Sequence, residues 1–168
     1  MEFTPIIVPL TNEGKKALAK VAEWLEDGAP HVRVSEEGRR LDNFDMEYGV
    51  IHNNSCGTSC CVAGAICQFE GLGSLKGNDL PFFGDNGASK YATMLLLGKV
   101  YPDETFSGIS GPKDLDALFC PWLYFEPKDG DNDCAAYSNT SDAAKVIRHY
   151  IATNEINWEI TGKFKHTY

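Results

Sequence analysis

The chain has 168 residues, 43% of them hydrophobic and 23% charged, which fits one domain with a sizeable core. Its formal net charge of -9 argues against non-specific nucleic-acid binding and against an anionic membrane surface, since both need a basic footprint. No stretch approaches the roughly 18 apolar residues of a membrane span, and Met1–Leu10 has no basic segment before an apolar run. The expected location is therefore the cytoplasm, where the six cysteines are reduced thiols.

A first helix is expected from Leu10 to about Gly28. Thr11 caps it, Leu18, Val21, Ala22 and Leu25 recur at helical spacing, and Gly28 and Pro30 end it. His31–Ser35 alternates as a short strand does. Asn43–Ile51, with Phe44, Met46, Tyr48, Val50 and Ile51, reads as a strand or extended segment. Cys56 to about Phe69 reads as the second helix, closed by Gly71 and Gly73. The glycines from Gly71 to Gly87 predict a loop that packs Leu80, Phe82 and Phe83 inward. Ala88–Leu97 is a third helix with Gly98 as a left-handed stop. A short helix runs from Pro112 to Phe119 and is ended by Pro121. Asn139–Asn154 is the last long helix, capped by Asn139 or Thr140, with Ala143, Ala144, Ile147, Tyr150 and Ile151 inward. Trp24, Trp122 and Trp158 read as core anchors. The expected fold class is mainly α, or α+β with a few short strands. It is a compact single-domain helical fold over residues 1–168 around a Cys/Ala/Gly-rich central helix, with 1–9 and 160–168 extended or frayed.

The run Asn53-Asn54-Ser55-Cys56-Gly57-Thr58-Ser59-Cys60-Cys61-Val62-Ala63-Gly64-Ala65 carries most of the chemistry. If it is helical throughout, Cys56, Cys60, Ala63 and Cys67 fall within about 40° of each other. That small-residue stripe lets another helix approach closely, and core packing is the plainest reading of it. A second reading makes Cys56 a nucleophile, its thiolate favoured by a helix N-terminus. His149 or His52 would serve as base, with Asn53, Asn54 and the amides of Gly57 and Thr58 as oxyanion donors. Over about a dozen residues this string resembles papain-type cysteine peptidases, although Cys61 and Val62 follow Cys60 where those enzymes usually place an aromatic residue. A third reading is a zinc site built from Cys56, Cys60, Cys120 and His149, with Cys134 or His52 as substitutes. Outside that alternative no cofactor is expected.

Asp129-Gly130-Asp131-Asn132-Asp133 has the alternating oxygens of a calcium loop's first half. Cys134 and Thr140 stand where its glycine and bidentate glutamate belong, which leaves a solvated acidic turn. The stretch from Tyr101 to Asp142, with Asp103, Glu104, Asp114, Asp116 and Glu126, reads first as a solvated face, and otherwise as a carboxylate surface for a basic partner or a mimic of nucleic-acid phosphates. The tail bearing Lys163, Lys165 and His166 is weakly basic and expected to fray.

Four spaced pieces together resemble a family of small, mostly uncharacterised proteins of bacteria, prophages and phages. They are Phe44-Asp45-Met46; Cys56-Gly57-Thr58-x-x-Cys61-x-Ala63-Gly64; Leu95-Leu96-Leu97-Gly98 with Leu118-Phe119-x-Pro121; and Ala143-Ala144-x-Val146-Ile147-x-His149 running on to Thr153-Asn154-Glu155-Ile156-Asn157-Trp158. The resemblance spans roughly residues 18 to 158 and matches the second cysteine to Cys61. It implies a compact helical domain in a phage or mobile-element setting, and it carries over no catalytic residues. Asp45 joins Asn53, Asn54, Gly57 and Thr58 as a candidate binding residue. The function expected first is that of a small accessory binding protein in the host cytoplasm, directed at a host protein or small signalling molecule, with anti-defence as one form. A cysteine hydrolase or transferase and a zinc-stabilised domain are the alternatives.

Overall fold

The computed structural model describes residues 4–36, 39–41, 43–46, 50–53, 57–72, 74–76, 80–82, 87–100, 113–130 and 134–167. In chain order the described elements are β1 (Ile6–Ile7), α1 (Asn12–Glu26), β2 (Val32–Arg33), β3 (Arg40–Leu41), β4 (Asn43–Phe44), β5 (Val50–Asn53), β6 (Gly57–Cys60) and α2 (Val62–Glu70). There follow β7 (Ser74–Lys76), β8 (Leu80–Phe82), α3 (Gly87–Leu97), α4 (Asp116–Phe119), β9 (Phe125–Pro127), α5 (Thr140–Thr153), β10 (Glu155–Ile156) and β11 (Phe164–His166). The class is mainly α: α1 packs on α5, α2 and α3, and short strands surround this helical core.

α1 forms where its sequence says it should. Thr11 is extended, and its hydroxyl accepts the Gly14 N–H at 2.9 Å, satisfying one of the open amides of the first turn. The same hydroxyl donates to the carbonyl oxygens of Leu95 and Leu96 at 3.3 and 3.1 Å, and the Thr11 amide donates to Leu96 at 3.0 Å. The N-terminus of α1 is thus bonded directly to the C-terminal turn of α3. Gly14 permits the approach, for a Cβ built there would lie 2.5 Å from the Leu96 oxygen. At its other end α1 closes in a Schellman motif. Gly28 is left-handed at φ 84°, its N–H bonds Leu25 at 3.0 Å, and the Ala29 N–H bonds Trp24 at 2.9 Å.

The inward face of α1 (Ala17, Leu18, Val21, Ala22, Leu25) is nearly inaccessible and meets Val62, Ile66, Leu96, Val146, Ile147 and Tyr150 in one hydrophobic cluster. Each large apolar side chain closed off in this way contributes about 1.5–3 kcal/mol. Asn139 caps α5 through the Asp142 N–H at 3.0 Å. Asn154 ends it, left-handed at φ 60°. Asn154 then binds the N-terminal segment twice, its side-chain oxygen accepting Leu10 N–H at 3.1 Å and its carbonyl accepting Val8 N–H at 2.8 Å. β1 pairs with β10 beside this junction.

A second apolar layer is aromatic. Tyr137 stacks on Phe164 at 4.7 Å, Trp158 meets both edge-on at 5.6 Å, and the Trp158 indole donates to Ala117 at 3.1 Å. The C-terminal tail is extended here and not frayed: β11 pairs antiparallel with β9, Phe164 is buried, and Lys165 reaches Glu126 at 2.9 Å.

Two further expectations change. The helix expected from Cys56 begins at Val62 with Cys61 at its cap, because Gly57–Cys60 forms β6, antiparallel to β5 and parallel to β4. Gly57, Thr58 and Ser59 are poor helix formers and Thr58 suits a strand, so pairing with β4 and β5 decides the stretch. The glycine-rich stretch after Gly71 holds an antiparallel pair, β7 with β8. Pro112 and Phe83 lie outside the described residues. A 3-10 turn over Lys113–Leu115 leads into α4, and Pro121 opens another over Pro121–Leu123.

Gly14→Ala is expected to destabilise the protein by about 1–3 kcal/mol, since backbone and not a flexible side chain blocks the added methyl. Chemical denaturation of the variant against wild type checks this. Unchanged stability would mean that α1 and α3 do not meet as closely as described.

Candidate functional site

The shift of the helix start redistributes the predicted site. Gly57 and Thr58 lie in β6, paired with Asn53 and His52 of β5, so their backbones serve a sheet and not the start of a helix. Cys56 and Asn54 lie outside the described residues, and Cys60 is described through its backbone, opposite Val50 and Phe44. The single-helix stripe of Cys56, Cys60, Ala63 and Cys67 therefore does not form. The cysteine at the helix start is Cys61, which is buried.

Both described thiols of this region are packing groups. Burial pushes the Cys61 thiol up. The amides of Gly64 and Ala63 pull weakly the other way without closing a capping hydrogen bond, and the Asp45 carboxylate adds to the upward shift. Burial likewise pushes Cys67 up, with Cys61 as the next cause, and its sulfur donates to the Ala88 carbonyl at 3.5 Å. Helix-start electrostatics are outweighed by loss of solvent, the reverse of what a nucleophile needs. Arg39, buried beside this helix, donates to the carbonyls of Leu72 at 2.8 Å and Cys67 at 3.4 Å and to the Gln68 side chain at 3.3 Å. It closes the end of α2.

His149 is half-buried on α5 and its Nε2 lies 3.4 Å from a Glu155 carboxylate oxygen, an orientation set by the turn at Asn154. Cys120 is half-buried after α4. Among the described residues no three His, Cys, Asp or Glu side chains converge as a metal site would. Of the acidic stretch, Asp114 pairs with Lys99 at 2.8 Å, Glu126 with Lys165 and Asp142 with Lys163 at 2.6 Å, so these carboxylates already have cationic partners.

Carboxylates without such partners occur at the C-terminal end of α1, at a cleft that sequence reasoning missed. A cavity of about 270 Å³ is bounded by Lys20, Glu23 and Trp24 of α1, by Asp27 at its C-cap, by Pro30 and Val32, and by Phe69 of α2. Its floor is aromatic: Trp24 meets Phe69 edge-on at 6.3 Å and Phe44 at the same separation. The Trp24 indole donates to the Pro30 carbonyl at 2.8 Å, and Ala29, left-handed at φ 53°, turns the chain back to bring that carbonyl to the edge of the ring. On the rim, Lys20 is neutralised by Glu70 at 2.6 Å. Glu23 and Asp27 are exposed, one helical turn apart, and neither side chain has a hydrogen bond or ion pair among the described residues. Arg148 approaches Glu23, but its guanidinium is taken bidentately by Glu26 at 2.8 and 2.9 Å. The signals for this cleft were Trp24 and the i, i+4 acid pair. Phe69 and Val32, brought in by the fold, gave no such sign. A second hollow, by Lys128 and Lys163, offers less, because those amines are engaged by the Gly162 carbonyl and Asp142.

No known protein family, curated protein or solved structure matches the chain. Among the described residues no helix is long and apolar enough to cross a membrane.

Two outcomes follow. On native protein at pH 8, Cys61 and Cys67 are expected to resist alkylation until unfolding, read by site-resolved mass spectrometry. Rapid labelling of either would contradict their burial. Separately, the Arg148 hydrogen bonds hold the Glu26 carboxyl below its ordinary value of 4.5. A lowered carboxyl stabilises the fold above its unfolded pKa, and the benefit is lost as pH falls through the folded one. Glu26→Gln should therefore melt slightly lower than wild type at neutral pH, and the gap should close in acid below about pH 4. A gap independent of pH would rule out this ion pair as its source.

Proposed function

We propose that this chain is a small accessory binding protein, encoded by a phage or other mobile element and acting in the host cytoplasm on a host protein or small signalling molecule. Anti-defence is one form of such an activity. The observation that supports binding is the cleft over Trp24 and Phe69, where an apolar floor meets two exposed carboxylates that make no hydrogen bond or ion pair among the described residues. Asp114, Glu126 and Asp142 are matched to lysines, whereas this acid pair without an ion pair lies beside apolar surface, a combination that suits an external ligand. The phage setting rests on the resemblance of the four spaced pieces from Phe44 to Trp158.

Immobilised protein exposed to bacterial lysate, with eluates read by intact-protein and small-molecule mass spectrometry, tests the reading. Retention of a partner over a blank column, released by moderate salt, is the expected result. Eluates containing neither protein nor small molecule above the blank would contradict it.

A further inference from the structure

We infer that the Trp24–Phe69 cleft takes the side chain of an arginine presented by a partner protein, an inference that rests on the binding reading above and names the ligand chemistry of its site. The cleft, about 270 Å³ and largely open to solvent, has room for one long side chain laid along it. The wall chemistry is divided as an arginine is divided. Half-buried Phe69 and Val32 and the exposed ring of Pro30 offer an apolar bed for a three-carbon stem, and the aromatic surface favours a guanidinium plane above it.

The rim supplies the charge. With Lys20 neutralised by Glu70, the remaining balance of the cleft is two negative charges, from Glu23 and Asp27. Glu23 stands in the last turn of α1 and Asp27 is its C-cap, and both line the cleft, so a planar fork of N–H donors entering it is offered two carboxylates. A lysine ammonium is a compact and strongly hydrated point charge that would satisfy one carboxylate and lose more on leaving water. The molecule already contains the same chemistry one turn away, where the Arg148 guanidinium spans both oxygens of Glu26. The chain-wide charge of -9 would add steering toward a basic partner.

The test uses a short blocked peptide with one arginine flanked by glycines, its citrulline counterpart, which keeps the shape and removes the charge, and its lysine counterpart. Amide chemical shifts of the full chain are followed during each titration. The arginine peptide should perturb residues in 20–32 and 69–70, bind at least about tenfold more tightly than the citrulline peptide and more tightly than the lysine peptide, and weaken about tenfold in Glu23→Gln/Asp27→Asn. Equal binding of arginine and citrulline peptides, perturbations centred elsewhere, or no perturbation would overturn the inference. Matching melting curves for the variant and wild type show that any loss is not unfolding. Lysate capture with the variant separates the two claims. A partner retained equally by variant and wild type overturns the arginine cleft and leaves the binding reading standing. Retention by neither overturns both.

Discussion

The fold depends on the contact between Thr11 and the end of α3. One hydroxyl caps α1 through Gly14 and also takes up the carbonyls of Leu95 and Leu96, while the missing side chain at Gly14 lets the two backbones meet. Two helix ends, each with unsatisfied groups, thereby satisfy one another without solvent. With that end fixed, the apolar stripe of α1 has one orientation in which Leu18, Val21, Ala22 and Leu25 are buried against α2, α3 and α5. The opposite edge is then committed to solvent, with Glu23 and Asp27 on it.

The cleft follows from the other end of the same helix. The Schellman turn at Gly28 and the left-handed Ala29 bring the chain back so that the Pro30 carbonyl meets the Trp24 indole and Val32 enters a strand beside it. A non-glycine residue held in that region costs on the order of 1 kcal/mol or more. Here the cost is offset by the Ala29–Trp24 hydrogen bond and the buried Ala29 methyl. α2 completes the site from the far side: the buried Cys61 and Cys67 pack its body, Arg39 closes its end, and its last turn delivers Phe69 and Glu70 to the cleft. The thiols therefore contribute by placing Phe69.

Much of this was legible in the sequence. α1, α3 and α5 were readable because cap residues and 3.6-residue periodicity coincide: Thr11 with Leu18 and Leu25, Asn139 with Ile147 and Tyr150, Gly98 as a left-handed end. The start of α2 was not. Gly57 to Ala65 is built of small residues whose local preferences set no sharp boundary, and what decides is pairing with β4 and β5, which is remote information. Burial hid the chemistry in the same way, since a cysteine at a helix start is activated or silenced according to solvent, and solvent access cannot be read from spacing. The cleft escaped for a different reason. Trp24 was correctly read as a core anchor, but Phe69 and Val32 reach it only through the fold, and which acids are paired depends on Lys99, Lys163 and Lys165 finding Asp114, Asp142 and Glu126.

The account turns on α1 using one face to build the core and its edge to hold a cation. A crystal structure of the chain with the blocked arginine peptide tests this most directly. The account predicts a guanidinium spanning the carboxylates of Glu23 and Asp27 with its stem along Pro30, Val32 and Phe69, and α1 unmoved on α3 at Thr11. An empty cleft with the peptide ordered elsewhere, or a guanidinium that displaces Arg148 from Glu26, would contradict it.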